Sequence, residues 1–359
     1  MVKMLSRTVP QRIGSWFCKS SRQFLQLHGS TNYATRSMSE RVDRLRFMQK
    51  LKEDESVCQK FISEGYFAVF CNLKPLIGEA GVLWKSYADI IKLLSSFSVD
   101  PMRDSIFVTV DEPEESPPKF AINISSDDKA QSKQLEAKVG SILGGRPCSV
   151  RKALFILPQD TASVVSTAYS LLQWHSKTQY CSCCGQTTTK DTSGFKRTCT
   201  SCSETFYPSI QPIAITLVTN GDQCVLARQP MFPPKMYSAL AGFCETGESL
   251  AMTVEREVAE EVGLEVDQIC YHDSQHWPFP SSGLMLGCFA KLKDGSTDVI
   301  NIDKAELEDA RWVKREDLRR MLADGSASSM PGLVGGPDLY IPPPQAIANK
   351  LITSWTFEE

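Results

Sequence analysis

The chain has 359 residues, 42% hydrophobic and 23% charged, with 39 Lys and Arg against 42 Asp and Glu. That balance excludes a fibrous or low-complexity protein, and the longest apolar runs, such as Tyr66 to Cys71, are far too short to cross a bilayer. A formal net charge of −3 gives no bulk attraction to nucleic acid, and the length suits two to three domains.

The first 39 residues stand apart. They hold six basic residues (Lys3, Arg7, Arg12, Lys19, Arg22, Arg36) and no Asp or Glu, with Trp16, Phe17, Phe24 and Leu25 as an apolar face. No continuous apolar core of the secretory kind is present. Residues 1–38 therefore read as a mitochondrial transit peptide, and the expected address is the matrix. Removing the first 39 leaves 33 basic against 42 acidic residues, a net of −9.

Residues 40–60 are charged and read as helical. The segments 65–70, 105–110 and 120–124, rich in aromatic and β-branched residues, read as strands. They form a small α+β domain, residues 39–176, in which no chemical motif is visible. A helix is predicted over about Thr161 to Ser176, with Asp160 as its N-cap after Pro158. His175 near its end is expected to be a packed or surface residue, not a ligand.

Cys181 and Cys184 are followed, after fourteen residues, by Cys199 and Cys202. Two C-x-x-C knuckles at this distance make a tetrahedral four-thiolate zinc site. With all four positions filled by cysteine the site is closed and structural. Such a ribbon, residues 177–209, folds around its metal rather than around a core. Its basic residues are few (Lys190, Lys196, Arg197), so a structural or dimerisation role is expected rather than nucleic-acid binding. A homodimer is the expected assembly. The other nine cysteines are scattered and read as reduced thiols.

Past Tyr207-Pro208, residues 212–218 read as a strand, Asn220-Gly221-Asp222 as a turn and 225–228 as the returning strand. Ser274 to Ser282 reads as a stiff extended loop, because Pro278 and Pro280 fix φ and lack N–H donors. Residues 284–290 and 310–313 read as further strands, 324–344 as an inserted Gly/Ser/Pro-rich loop, and Ala346 to Trp355 as a closing helix. Sheets interleaved with helices in this order give an α/β/α sandwich over residues 210–359.

One run carries the chemistry: GFCETGESLAMTVEREVAEEVGL, Gly242 to Leu264. From Ser249 to Val262 there is no Pro or Gly, and Leu250, Val254, Val258 and Val262 recur every four residues, so a helix is predicted, stopped by Gly263. Glu257, Glu260 and Glu261 then share one face at i, i+3 and i+4. Like charges so placed repel, whereas hard divalent cations want such oxygen ligands. Glu248 and Arg256 are placed to pair and lock loop against helix.

This run resembles the Nudix box, complete and without substitutions. The resemblance implies a Mg²⁺- or Mn²⁺-dependent hydrolase of a nucleoside diphosphate linked to another group. Ser274 to Ser282, SQHWPFPSS, is similar to the signature of the NADH pyrophosphatase branch of that family, as are the preceding zinc ribbon, Tyr207-Pro208 and the PPP-x-x-x-A run ending at Ala348. His276 stands where that signature has Pro. The resemblance covers roughly residues 160–355 and implies hydrolysis of NADH, and of NADPH or NAD, to reduced nicotinamide mononucleotide and AMP.

The implied metal ligands are the Ala241 carbonyl, Glu257, Glu260, Glu261 and Glu306, with Glu261 the candidate base. Arg256 is expected to be structural. Trp277, Phe279 and Phe243 offer flat apolar surfaces to the bases, and Gln275 and Ser282 offer polar contacts. Tyr207 and Ala348 join them by resemblance. Two other readings are removal of nicotinamide caps from RNA 5′ ends, which cuts the same bond, and a non-catalytic dinucleotide sensor, against which the intact glutamates argue.

Overall fold

The computed structural model describes residues 38–97, 99–112, 116–126, 128–323 and 339–358. The transit-peptide reading, and most of the loop expected over 324–344, lie outside the described residues.

The N-terminal part begins with α1 (Met38–Glu53) and α2 (Glu55–Ile62) where one helix is expected. Asp54 divides them, because its carboxylate caps the second helix by accepting from the Ser56 and Val57 amides, both at 3.1 Å. Strands β1 (Tyr66–Cys71), β2 (Lys74–Gly78), β3 (Gly81–Val82) and β4 (Trp84–Ser86) follow, then α3 (Tyr87–Ser95), α4 (Pro101–Asp104), β5 (Ile106–Thr109), β6 (Lys119–Ile124), α5 (Lys129–Leu143), β7 (Arg146–Pro147), α6 (Val150–Ile156) and α7 (Gln159–Lys177). The sheet runs β3-β2-β1-β6-β5, with β1 and β6 parallel. Its strands are buried on both faces: Phe67, Phe107 and Phe120 pack towards α1, α2, α3 and α5, and Phe70, Ile106 and Val108 towards α6 and α7.

Helix α7 starts two residues earlier than expected. Pro158 occupies the N-cap and makes no side-chain cap bond, so Asp160 lies in the first turn instead. Pro158 fixes φ in the range a helix entry needs, and the acid then sits where the helix dipole favours it.

The ribbon is a three-stranded sheet of β8 (Thr188–Lys190), β9 (Arg197–Cys199) and β10 (Thr205–Phe206). It docks on the first sheet: the Phe107 amide donates to Ser193 O at 2.8 Å, and Gly194 lies against Ile106. His175 closes the junction, 2.8 Å from Gly194 O. It is a packed residue, as expected.

The last part comprises β11 (Gln211–Asn220), β12 (Gln223–Arg228), β13 (Leu240–Phe243), α8 (Leu250–Val262), β14 (Val266–Trp277), β15 (Gly283–Leu292), β16 (Asp309–Lys314), α9 (Arg315–Ala323) and α10 (Ile347–Phe357). Strand order is β14-β15-β11-β12-β16, with β13 added to β11. Helix α8 covers one face through Val254, Val258 and Val262, all fully buried. Helices α9 and α10 cover the other through Leu318, Leu351, Ile352 and Trp355. This is the expected α/β/α sandwich.

Strand β14 corrects one expectation. Ser274 to Trp277 are not loop but strand, paired with β15 through Gln275↔Met285, His276↔Leu284 and Trp277↔Gly283. Only residues 278–282 form the stiff turn. A proline ends pairing at its own position, and the residues before it already satisfy the extended geometry that Pro imposes.

Candidate active site and metal centres

The glutamate helix forms where the sequence places it. Ser249 caps it by accepting from the Met252 amide at 3.3 Å, and Gly263 ends it in the left-handed region at φ 68°. Its apolar stripe holds it on the sheet, which leaves the acidic residues facing the Leu240–Phe243 strand and the loop that follows.

Arg256 is the hub. Its Nε and Nη2 donate to Glu248 at 2.6 and 3.0 Å, and its Nη1 donates to Glu257 at 2.8 Å and Glu260 at 2.9 Å. Nη2 also donates to the Phe243 carbonyl at 2.8 Å. One guanidinium thus ties the loop to three carboxylates, which its planar fork of five donors allows. Glu248 accepts as well from the Glu245 amide and from the Thr253 hydroxyl. The Arg256 charge and these donors hold its carboxyl down at about 2. Thr253, fully buried, is a member of this network that sequence spacing did not single out.

Gly242 is required by contact. A Cβ there would lie 1.8 Å from the Glu257 carboxylate carbon and 1.9 and 2.0 Å from its oxygens. The Glu257 carboxylate therefore rests on the backbone of the box loop, in space only glycine leaves free.

Glu261 is the deepest acid, 2% exposed, and its Oε2 is buried without a hydrogen-bond partner. Burial, then the charges of Glu257 and Glu306, push its carboxyl up to about 8, against a lowering contact from the Ala241 backbone. Burial raises Glu257 too, with Arg256 opposing. Glu306 lies on an exposed turn where its own amide donates to Asp303 O. Glu260 is the outlier, with its side chain 57% exposed and turned to Arg256. Among the described residues, only the four ribbon cysteines have ligand atoms that all lie within 4.8 Å of one another. The carboxylates are more widely spread.

Even so, the acids fit a divalent cation. An orphaned carboxylate oxygen held beside two like charges is a cost that a protein retains where a hard cation offsets it. Glu257, Glu261 and Glu306 are the residues positioned to hold one, with the Ala241 backbone beside Glu261.

The ribbon thiols fit a metal more tightly. Sγ–Sγ separations are 3.6 Å for Cys181–Cys202, 3.4 Å for Cys184–Cys199 and 3.6 Å for Cys184–Cys202. A tetrahedral zinc with bonds of about 2.3 Å needs edges of roughly 3.8 Å. Amide donors from Ser201 and Cys202 pull Cys199 down to about 6, so it is a thiolate near neutral pH. Cys183 is exposed and outside the tetrad.

The remaining candidates sit at one end of β11. Its first residue, Gln211, takes the Ser282 carbonyl on its amide at 2.8 Å. Two residues on, Ile213 pairs with Phe243 on one side and Met285 on the other. The box loop and the 278–282 turn thus flank the same strand, about 10 Å apart. Phe243 is 45% and Tyr207 67% exposed, both free to meet a ligand.

Trp277 and Phe279 are half-buried against the N-terminal part: their centroids lie 6.1 Å from Phe155 and 5.8 Å from Tyr169, with Arg151 over both rings. The Gln275 amide donates to Gln345 O and accepts from the Ile347 amide, so it fixes the start of α10. Ala348, on that helix, is buried in the core. Arg151, Phe155 and Tyr169 had no motif to announce them.

Comparison with known proteins agrees with this geometry. Residues 210–333 match the NUDIX domain. The chain is 40% identical over 326 residues to the mouse protein "NAD(P)H pyrophosphatase NUDT13, mitochondrial", which covers 89% of this chain and 92% of that one. The human protein of the same description is 39% identical, with the same coverage. It is also 40% identical over 213 residues to human "NAD-capped RNA hydrolase NUDT12", across 56% of this chain and 43% of that longer one.

Proposed function

The chain belongs to the Nudix hydrolase family and is an enzyme, and we propose that it cleaves the pyrophosphate of NADH, and of NADPH or NAD, to a nicotinamide mononucleotide and AMP. The observation that carries this reading is the buried Glu261, with an unpartnered Oε2 and a carboxyl pushed up to about 8, beside Glu257 and across β11 from the Trp277–Ser282 turn. The two mitochondrial relatives named for this activity span nearly the whole chain, which supports the same substrate and a mitochondrial address. The three sheets read as three domains, 39–176, 177–209 and 210–359.

A divalent ion, Mg²⁺ or Mn²⁺, held by Glu257, Glu261 and Glu306 would polarise phosphoryl oxygens and acidify a bound water. The chain's own contributions are distinct from that. Glu261, ionised once such a cation is held beside it, would accept the proton of the attacking water. Arg256 keeps Glu257 in place and cancels part of the acidic charge that would repel a pyrophosphate. Phe243 offers an exposed ring to a base, and Trp277 and Phe279 give the far wall rigidity at little ordering cost. The four-cysteine site would hold Zn²⁺ and order the ribbon.

A second reading is favoured by one observation. The relative described as an NAD-capped RNA hydrolase is 40% identical to this chain over more than half its length. The bond cut is the same, so the two differ only in what lies beyond the adenosine.

Purified chain should release AMP from NADH with Mg²⁺ or Mn²⁺, measured by chromatography, and Glu261→Gln should abolish release while the fold stays intact. Full activity in that variant would remove Glu261 from the site. NAD-capped RNA cleaved far faster than NADH would favour the second reading.

A further inference from the structure

The N-terminal α+β part has no role in the chemistry above, and the position where this chain departs from its branch signature supplies one. His276 lies on β14 with both ring nitrogens engaged. Nδ1 is 2.7 Å from Ser166 Oγ on α7, and Nε2 is 2.9 Å from Ser282 Oγ at the end of the turn. Ser166 is 3% exposed. Burial lowers the imidazole pKa, which favours the neutral ring. A neutral ring has one donor and one acceptor, so one serine gives its hydroxyl hydrogen and the other receives one.

The bridge continues at both ends. The Gln211 amide donates to the Ser282 carbonyl, at the strand end that also pairs with Phe243 of the box loop. On the other side, α6 and α7 supply Arg151, Phe155 and Tyr169 as the seat for Trp277 and Phe279. His276 also lines two cavities, a small one of about 200 Å³ against α7 and an open cleft of about 830 Å³ shared with Tyr207 and Trp174. A two-stranded tip fixed only at its base pivots. Here a side-chain brace reaches it from a separate sheet.

We propose that the Ser166–His276–Ser282 bridge makes the N-terminal part a positioning element for the substrate-facing turn, so that His276 governs how tightly the dinucleotide is held and not how fast its bond breaks. The kinetic arm of this proposal rests on the proposed function. The structural arm does not.

The test uses the full chain with Ser166→Ala, His276→Ala and the double variant, read by NADH kinetics and by amide hydrogen exchange. Ser166→Ala should raise KM about fivefold, as the loss of one ordinary hydrogen bond gives, and His276→Ala, which loses two, by at least as much, with kcat within about twofold in each. Residues 277–282 should exchange faster in each while α8 keeps its protection. The double variant should be no worse than His276→Ala, because both break one chain of contacts.

His276→Gln, which places an amide nitrogen near the Nε2 position, should regain part of the Ser282 contact and of KM. Additive effects, an unchanged KM with active enzyme, or unchanged exchange in 277–282 would each overturn the proposal. If His276→Ala fails to fold, Ser166→Ala, which removes one hydroxyl, carries the test. If the wild-type chain cleaves no dinucleotide, the proposed function fails and the exchange measurement still decides the bridge.

Discussion

The Glu257 carboxylate lies directly on Gly242: a methyl group on that glycine would stand 1.8 Å from the carboxylate carbon. Fifteen residues separate the two in the chain, and the α8–β13 packing closes the gap. The conformation needs no positive φ, so the glycine is there for space alone. Gly242→Ala should push Glu257 off its Arg256 contact and displace it by about an ångström. We expect NADH hydrolysis to fall about 100-fold, the scale of loss that such a misplacement gives. The check is kcat and the melting midpoint together, since a large loss of stability would point to general disruption instead.

Arg256→Lys keeps the charge and loses the fork. A lysine is a single point charge on a flexible stem and cannot reach Glu248, Glu257, Glu260 and the Phe243 carbonyl at once. The expected result is a melting midpoint lower by several degrees and a clear drop in kcat, with KM little changed. Equal activity in the lysine variant would show that charge, not geometry, is what the site uses.

The pH dependence of the metal-free chain follows from Glu261. Its folded carboxyl is pushed up to about 8, above its ordinary value of 4.5. A carboxyl raised in the folded state contributes stability that is full below the unfolded value and is lost as pH rises through the folded one. With chelator present, the melting midpoint should therefore fall between about pH 5 and pH 8.5, and Glu261→Gln should flatten that fall. Mg²⁺ at the alkaline end should raise the midpoint of the wild type and not of the variant.

Glu248 behaves oppositely. Its carboxyl is held at about 2 by Arg256, the Glu245 amide and the Thr253 hydroxyl. A lowered carboxyl contributes stability present above about 4.5 and lost as pH falls towards 2. Glu248→Gln should lower stability at neutral pH and flatten the loss between about pH 4.5 and pH 2, measured by near-ultraviolet circular dichroism, and Thr253→Val should do so to a smaller degree.

For the ribbon, metal analysis of the purified chain should find one zinc. Cys199→Ser should lose it, because the closed site then has three thiolates instead of four and the contact of Cys199 with Cys184 at 3.4 Å is gone. Residues 181–206 should then become protease-sensitive, and the Ser193–Phe107 and His175–Gly194 contacts with the first sheet should loosen. A zinc-free ribbon that stays protected would show that β8 to β10 fold on strand pairing alone.

The sequence by itself determined the local chemistry. Spacing placed the glutamates on one helix, Ser249 and Gly263 at its ends, and four cysteines at metal distance, because helix period, capping and thiolate ligation act over a few residues. It also announced the central sheet of the last part, whose strands are apolar and bounded by turns. Tertiary structure decided what distance along the chain conceals: that Gly242 is a cradle for Glu257, that Thr253 joins the Arg256 network, and that Ser274 to Trp277 are strand. It decided too that α6 and α7 seat the Trp277 and Phe279 rings, with Ser166 110 residues from the histidine it holds. A single hydroxyl on a helix gives no periodic or compositional signal, and its meaning comes only from the residue that folding brings against it.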